Sequence, residues 1–204
     1  MRHGIFFLVA GPSGAGKTTV LRRLVESSER LVKDISITTR PPRQGEQDGR
    51  DYFFWTREKF EQGIAAGDFL EHAQVHGLAF YGTSKQKVLE QLKQGVDVIK
   101  DIDVQGAEQV RKSMPYPLSV GIFVAPPSPG ELKTRLQGRK TEDEETVARR
   151  IETAREETAR IGEFDYLVWN NLVEDAVEDL KAIRRSEHLR REQQQDIFKS
   201  RWNV

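Results

Sequence analysis

Six consecutive apolar residues, Ile5-Phe6-Phe7-Leu8-Val9-Ala10, stand near the start of the chain and stop at a loop of Gly, Pro and Ser. A short aromatic and β-branched run bounded by turn residues predicts a strand buried on both faces, as in a parallel sheet. From Lys17 onward Val20, Leu21, Leu24 and Val25 fall at helical spacing, so strand, loop and helix follow one another. Comparable apolar runs return at 96–99, 118–125 and 166–169. Helical patterning predicts helices over 85–94 (closed by Gly95), over 129–137, and from Leu172 to about Arg191. Strands alternating with helices predict an α/β fold with a mostly parallel sheet.

Two stretches break this rhythm. Residues 34–84 are rich in Arg, Gly and aromatic residues, with short strand-like pieces and one helix starting after Thr56; they predict an inserted unit of mixed structure. Residues 139–163 predict a charged helix, with Thr141 as its cap and Glu144 bonding back to it. Its apolar edge is thin, carried by Val147, Ile151, Ala154 and Ile161, which suits a moving lid or a solvated surface helix.

Composition narrows the class. The chain has 204 residues, 37% apolar and 31% charged, with 32 Lys+Arg against 32 Asp+Glu. That balance argues against a nucleic-acid coat, which needs a cationic excess. The longest apolar run is far short of the ~20 residues of a membrane-spanning helix. Without cysteine there is no disulfide framework or thiolate metal site. No secretory leader precedes Gly11, and the expectation is a soluble intracellular domain. The charge is nevertheless segregated. Residues 1–33 hold six cations and two anions, whereas residues 141–180 hold four cations and thirteen anions.

Gly11-Pro12-Ser13-Gly14-Ala15-Gly16-Lys17-Thr18, followed by Thr19, matches G-x-x-x-x-G-K-[ST] without a mismatch. Small residues let successive backbone N–H groups converge on phosphate oxygens, and the following helix adds its positive dipole end. Lys17 supplies a charge for the β- and γ-phosphates, and Thr18 a hydroxyl for Mg²⁺. The motif alone indicates a nucleoside triphosphate and leaves the second substrate open.

Further candidates lie elsewhere. Residues 96–103 predict a strand ending in D-I-D, on which Asp101 and Asp103, two apart, project the same way. They read either as groups holding Mg²⁺ through water or contacting an acceptor, or, for Asp103, as a helix cap. Arg40 and Arg43 flank a Pro-Pro pair, and Tyr52 and Tyr81 follow in the same insertion; the set reads as an anion clamp or as a solvated turn. Glu71, among apolar neighbours, is either a surface residue or a buried acceptor for the N1–H and 2-amino group of guanine.

At this point the chain resembles the guanylate kinases, over about residues 4–190. The carrying segments are GPSGAGKTT, SITTRPPRQGE, DYFF, FLEHAQVHG, YGTS, DIDVQGA, APPS and LKTRLQGR. The resemblance implies a single domain: a P-loop core of residues 1–33, 85–134 and 164–204, a GMP-binding insertion at 34–84, and a helical lid at 135–163. It implies phosphoryl transfer from ATP to GMP with Mg²⁺, in the cytoplasm, with no membrane or nucleic-acid partner; monomer and homo-oligomer stay open. Gly11 to Thr19 would hold the donor, with Thr18 and Asp101 at the metal and Lys17 and Asp101 among the catalytic groups. Arg40, Arg43, Tyr52 and Tyr81 would hold the GMP phosphate, Ser36, Glu71 and Thr83 would read guanine, and Asp103 would face GMP. Arg135, Arg139 and Arg150 (or its neighbour Arg149) match lid arginines, and Arg139 and Asn170 lie near the donor adenine.

The chain departs from the family pattern at Lys100, where an apolar residue is usual, at Lys140 and Asn171, and in a longer loop at Leu78-Ala79. A buried Lys100 must leave the sheet or find a partner. Three rival readings are weakened by particular residues. A sugar-phosphate kinase should lack the set Tyr52, Glu71 and Tyr81, and a GTPase switch should carry N-K-x-D, which is absent. A binding-only homologue should have a degraded phosphate loop. The four histidines lack metal-ligand spacing, and Trp55, Trp169 and Trp202 read as packing residues.

Overall fold

A computed structural model describes residues 3–75, 77–137 and 144–202. Five parallel strands form the main sheet: β1 (Phe6–Ala10), β2 (Leu31–Lys33), β7 (Asp97–Asp101), β8 (Ser119–Ala125) and β9 (Tyr166–Trp169), in the order β2-β7-β1-β8-β9. The two strands with continuous apolar runs, β1 and β8, are buried at every residue. Helices cover both faces. On one, Val20, Leu21 and Leu24 of α1 (Lys17–Glu26) join Val177, Leu180 and Ile183 of α7 (Val173–Leu189) against Ile5, Phe7 and Val9. On the other, α3 (Lys85–Lys93) and α4 (Val104–Ser113) send Val88, Leu92, Ala107 and Val110 onto Phe6, Leu8 and Val98. Each fully buried aliphatic or aromatic side chain here contributes about 1.5–3 kcal/mol of transfer free energy.

Four short strands make a second sheet in the order β4-β3-β6-β5: β3 (Ile37–Thr38), β4 (Phe53–Phe54), β5 (Phe69–Val75) and β6 (Ala79–Ser84). Helix α2 (Arg57–Ala66) is capped by Thr56, whose side chain accepts from the Lys59 N–H, and lays Phe60 between Phe69 and Phe80 at centroid separations of 4.3 and 5.3 Å. Beyond β8, α5 (Pro129–Gln137) and α6 (Glu144–Ala159) pack through Leu132, Leu136, Val147 and Ala154.

Several sequence expectations change. Strand β2 was missed because three residues with only Leu31 buried carry no pattern. The predicted last helix is α7, ending at Leu189 where Arg190 turns extended, and a further helix, α8 (Arg191–Trp202), follows beyond the predicted range. Ile161 leaves the apolar edge of α6 for a short 3-10 turn (Ile161–Glu163) and packs near Phe123. Trp169 and Trp202 are 50% and 69% exposed, so neither is a core packing residue: Trp169 lies on the edge strand, and Trp202 stacks on Phe198. Arg139, Lys140, Thr141, His76 and the Glu144 side chain lie outside the described residues.

Candidate active site

The loop between β1 and α1 is built for close approach. Gly11 has φ +137°, and a Cβ there would stand 2.1 Å from the Val124 carbonyl oxygen. Gly16 has φ +85°, with Asn170 Nδ2 only 2.4 Å from where its Cβ would be. Any other residue would be both strained and overlapping at these positions. Lys17 Nζ donates to the Gly11 carbonyl at 2.5 Å and stands 3.8 Å from Asp101 Oδ1. Asp101 reaches this place because β7 pairs with β1 in the register Val9 to Asp101. A cavity of about 400 Å³ lies between them, lined by the loop, Lys17, Thr18, Thr19, Asp101, Asp103 and Glu157.

Asp101 and Asp103 both line that cavity, but not as neighbours on one strand face. Strand β7 ends at Asp101, and Asp103 is the N-cap of α4, its Oδ1 accepting the Gly106 N–H at 2.7 Å. The helix begins too soon for the strand alternation to continue.

The arginines of the following helices take different positions. Arg150 Nη1 donates to Ser13 Oγ at 3.1 Å, whereas Arg149 pairs with Glu145 on the exposed side. Arg135 donates to Glu131 and, at 3.3 Å, to the Asn170 carbonyl. Asn170 is buried behind the loop, and its Nδ2 donates to the Ala15 carbonyl at 2.6 Å. It braces the loop rather than lining the cavity.

A second group of side chains forms on the smaller sheet. Arg40 donates from Nη2 to Glu46 and from Nε to the Tyr81 hydroxyl at 3.3 Å, and its guanidinium lies 5.4 Å from the Tyr52 ring centre. Glu46 also accepts the Arg43 backbone N–H at 2.7 Å. The Arg40 bond, then the Arg43 N–H, hold the Glu46 carboxyl below the ordinary carboxylate range. Arg40, Tyr52 and Tyr81 are thus brought together, with the Arg43 backbone tied to the same carboxylate.

Glu71 is buried, so its surface reading falls away. The register of β5 against β6 shifts between Phe69 and Glu71, and this irregularity leaves Glu71 opposite Thr83. Thr83 Oγ1 donates to Glu71 Oε1 at 2.5 Å. Lys100 is buried beside them: its Nζ donates to Asp34 Oδ2 at 2.7 Å and Ser36 Oγ at 2.8 Å, and stands 3.8 Å from Glu71 Oε1. Burial pushes the Glu71 carboxyl up; Lys100 and Thr83 oppose this, while the charges of Asp103 and Asp34 add to it.

Three participants escaped the sequence reading. Asp34 and Glu46 stand in loops and take their roles from Lys100 and Arg40. Glu157 lines the phosphate-loop cavity, and burial raises its carboxyl despite the nearby Lys17. Its signal was the spacing of Arg150, Ala154 and Glu157, which puts all three along one face of α6. Among the described residues no cluster of three or more His, Cys, Asp or Glu side chains could hold a metal, and no helix is long and apolar enough to cross a membrane.

Comparison with known proteins gives one consistent result. Residues 5–187 match the family model described as guanylate kinase. The chain is 47% identical over 191 residues to the guanylate kinase of Methylobacillus flagellatus, covering 94% of this chain and 93% of that protein. Against the guanylate kinase of Dechloromonas aromatica it is 47% identical over 186 residues, covering 91% of each. The crystal structure of guanylate kinase from Anaplasma phagocytophilum superposes with a TM-score of 0.76 at 29% identity, covering 100% of this chain and 97% of that one.

Proposed function

The chain belongs to the guanylate kinase family and catalyses the ATP-dependent phosphorylation of GMP to GDP, and from that premise we propose how its residues divide the task. Residues 1–33, 85–134 and 164–204 act as the core, residues 34–84 take GMP, and residues 135–163 close as a lid. ATP binds the phosphate loop from Gly11 to Thr19, with Arg139 and the loop-bracing Asn170 on its side. Arg40, Arg43, Tyr52 and Tyr81 clamp the GMP phosphate, while Ser36, Glu71 and Thr83 read guanine and Asp103 faces the acceptor.

The observation that carries the guanine assignment is the buried Glu71 carboxylate held by Thr83. A buried carboxylate requires donors, and guanine offers N1–H and the 2-amino group side by side, where adenine offers no such pair. The phosphate of GMP is already anionic, so transfer needs no strong general base. Catalysis is alignment and charge neutralisation by Lys17, Arg40, Arg135 and Arg150 in a site that excludes water.

Mg²⁺ fits the donor set at Thr18 and Asp101. Both are oxygen donors lining one cavity, and one hydroxyl with one carboxylate suits an ion that keeps waters and takes substrate phosphates. When bound it would supply positive charge to the donor phosphates. We place the protein in the cytoplasm, where both nucleotide substrates are found. The balanced charge of the chain supports small nucleotides rather than nucleic acid as partners.

The test is one assay of ADP formation from ATP and Mg²⁺ with GMP, dGMP, AMP, UMP or a ribose bisphosphate. ADP formation selective for GMP supports the reading, and a flat or sugar-selective profile overturns it.

A further inference from the structure

Lys100 is the one interior strand position of β7 that carries an ammonium. Lys100 is only 4% exposed, yet it does not turn away from the site. It joins three segments: the loop carrying Asp34 and Ser36 just before the small sheet, Glu71 on β5, and β7 itself. The Asp34–Lys100 pair is nearly dry, with side-chain exposures of 6% and 5%.

An ammonium has three N–H donors and no acceptor. One bond goes to Asp34, which holds Lys100 in place. A second goes to Ser36 Oγ, so that oxygen is an acceptor toward Lys100 and its own O–H is left to donate elsewhere. The remaining positive field falls on Glu71 Oε1 at 3.8 Å, favouring a carboxylate that only accepts. Ser36 as donor and Glu71 as acceptor match the guanine edge, whose O6 accepts and whose N1–H and 2-amino group donate. Adenine presents the opposite polarity at positions 6 and 1.

We propose that Lys100, anchored by Asp34, is a positioning residue for base specificity that sets Ser36 as a donor and Glu71 as an acceptor toward guanine. The inference rests on the guanine reading of Ser36 and Glu71 given above. Lys100 itself touches none of the reacting atoms.

The test compares wild type, Lys100→Met, the double variant Asp34→Asn/Lys100→Met, and Glu71→Gln, each with a melting curve. The double variant removes both buried charges together, so it avoids stranding Asp34. For GMP, IMP and ATP we would measure KM and kcat separately. The proposal expects KM for GMP to rise about tenfold or more in the double variant, as for loss of a buried polar partner. Over the same comparison kcat and KM for ATP should stay within about twofold, and the preference for GMP over IMP should narrow. A double variant with unchanged KM for GMP and unchanged GMP-to-IMP preference overturns the proposal. So does one whose constants for all substrates worsen together with its melting temperature, which is the mark of a purely structural pair. Glu71→Gln separates the two levels of argument. If it leaves GMP kinetics untouched, the guanine reading itself fails; if it impairs GMP use while the double variant does not, only the role of Lys100 fails.

Discussion

Glu46 holds Arg40 through a bond of 2.9 Å from Nη2 to Oε1, while its other oxygen takes the backbone N–H of Arg43 at 2.7 Å. One carboxylate therefore orients the guanidinium and fixes the turn that carries the second arginine. The Pro-Pro pair between them stiffens the same segment, so little motion is left to freeze when an anion arrives.

Glu46→Gln should accordingly loosen the clamp without removing any proposed phosphate ligand. The amide keeps one acceptor oxygen and loses the charge that fixes Arg40. KM for GMP is expected to rise several-fold, as for a weakened charge-assisted bond. KM for ATP is expected to stay near the wild-type value, and steady-state kinetics in both substrates check this.

Glu71 gives a pH prediction with two opposite signs. Burial pushes its carboxyl above the ordinary range, and Lys100 only partly offsets this. The ionised form accepts from guanine, so KM for GMP should rise as pH falls, starting above the pH at which an exposed glutamate protonates. Folding favours the protonated form of such a group, so its contribution to stability is present below its unfolded pKa and lost as pH rises through the folded value. Glu71→Gln should flatten the acid limb of KM for GMP while leaving KM for ATP unchanged. A wild-type pH profile in that variant would contradict the assignment.

Lys17 is held by loop carbonyls and faces Asp101 across the cavity. Replacing it with Met should lower kcat by about 10²–10³-fold, the usual cost of removing one preorganised charge stabiliser. The melting temperature should change little, because the loop conformation rests on its glycines and on Asn170. Circular dichroism and a thermal melt, run beside the activity assay, separate this outcome from misfolding.

Asp97 anchors the end of the sheet far from the phosphate loop. It is fully buried and accepts from the Ile5 N–H, from Arg184 Nε at 2.6 Å, and from His188 Nε2. Burial alone would raise its carboxyl, but His188, the Ile5 N–H and Arg184 together hold it below the ordinary range. Its contribution to stability is therefore present above its unfolded pKa and is lost as pH falls through the folded value. Asp97→Ala should cost about 1–3 kcal/mol, since it leaves the buried Ile5 N–H and His188 Nε2 without their acceptor. Urea unfolding at neutral and acid pH would show the difference shrinking toward the acid end.

Contiguous features were the legible ones. The segment from Phe6 to Thr18 is strand, glycine loop and helix start in unbroken order, and each step follows from side-chain size and spacing. The core strands β1 and β8 were visible because burial on both faces demands an uninterrupted apolar run. Strand β2 was not visible, since it depends on a pairing partner remote in sequence. Exposure of Trp169 follows from its place on an edge strand, which residue type alone does not disclose.

The same division runs through the site. The amino-acid order by itself determined the phosphate loop, the parallel α/β frame and the presence of a second, arginine-rich unit, because local spacing and turn chemistry act within a few residues. Tertiary structure decided which acids matter and in what role. Asp103 became a cap where the strand ended early, and Glu71 became a buried acceptor where the β5 register shifts. Lys100 met Asp34 and Ser36 across more than sixty residues of chain. A buried charge is defined by whatever surrounds it, and those surroundings exist only once the two sheets have come together.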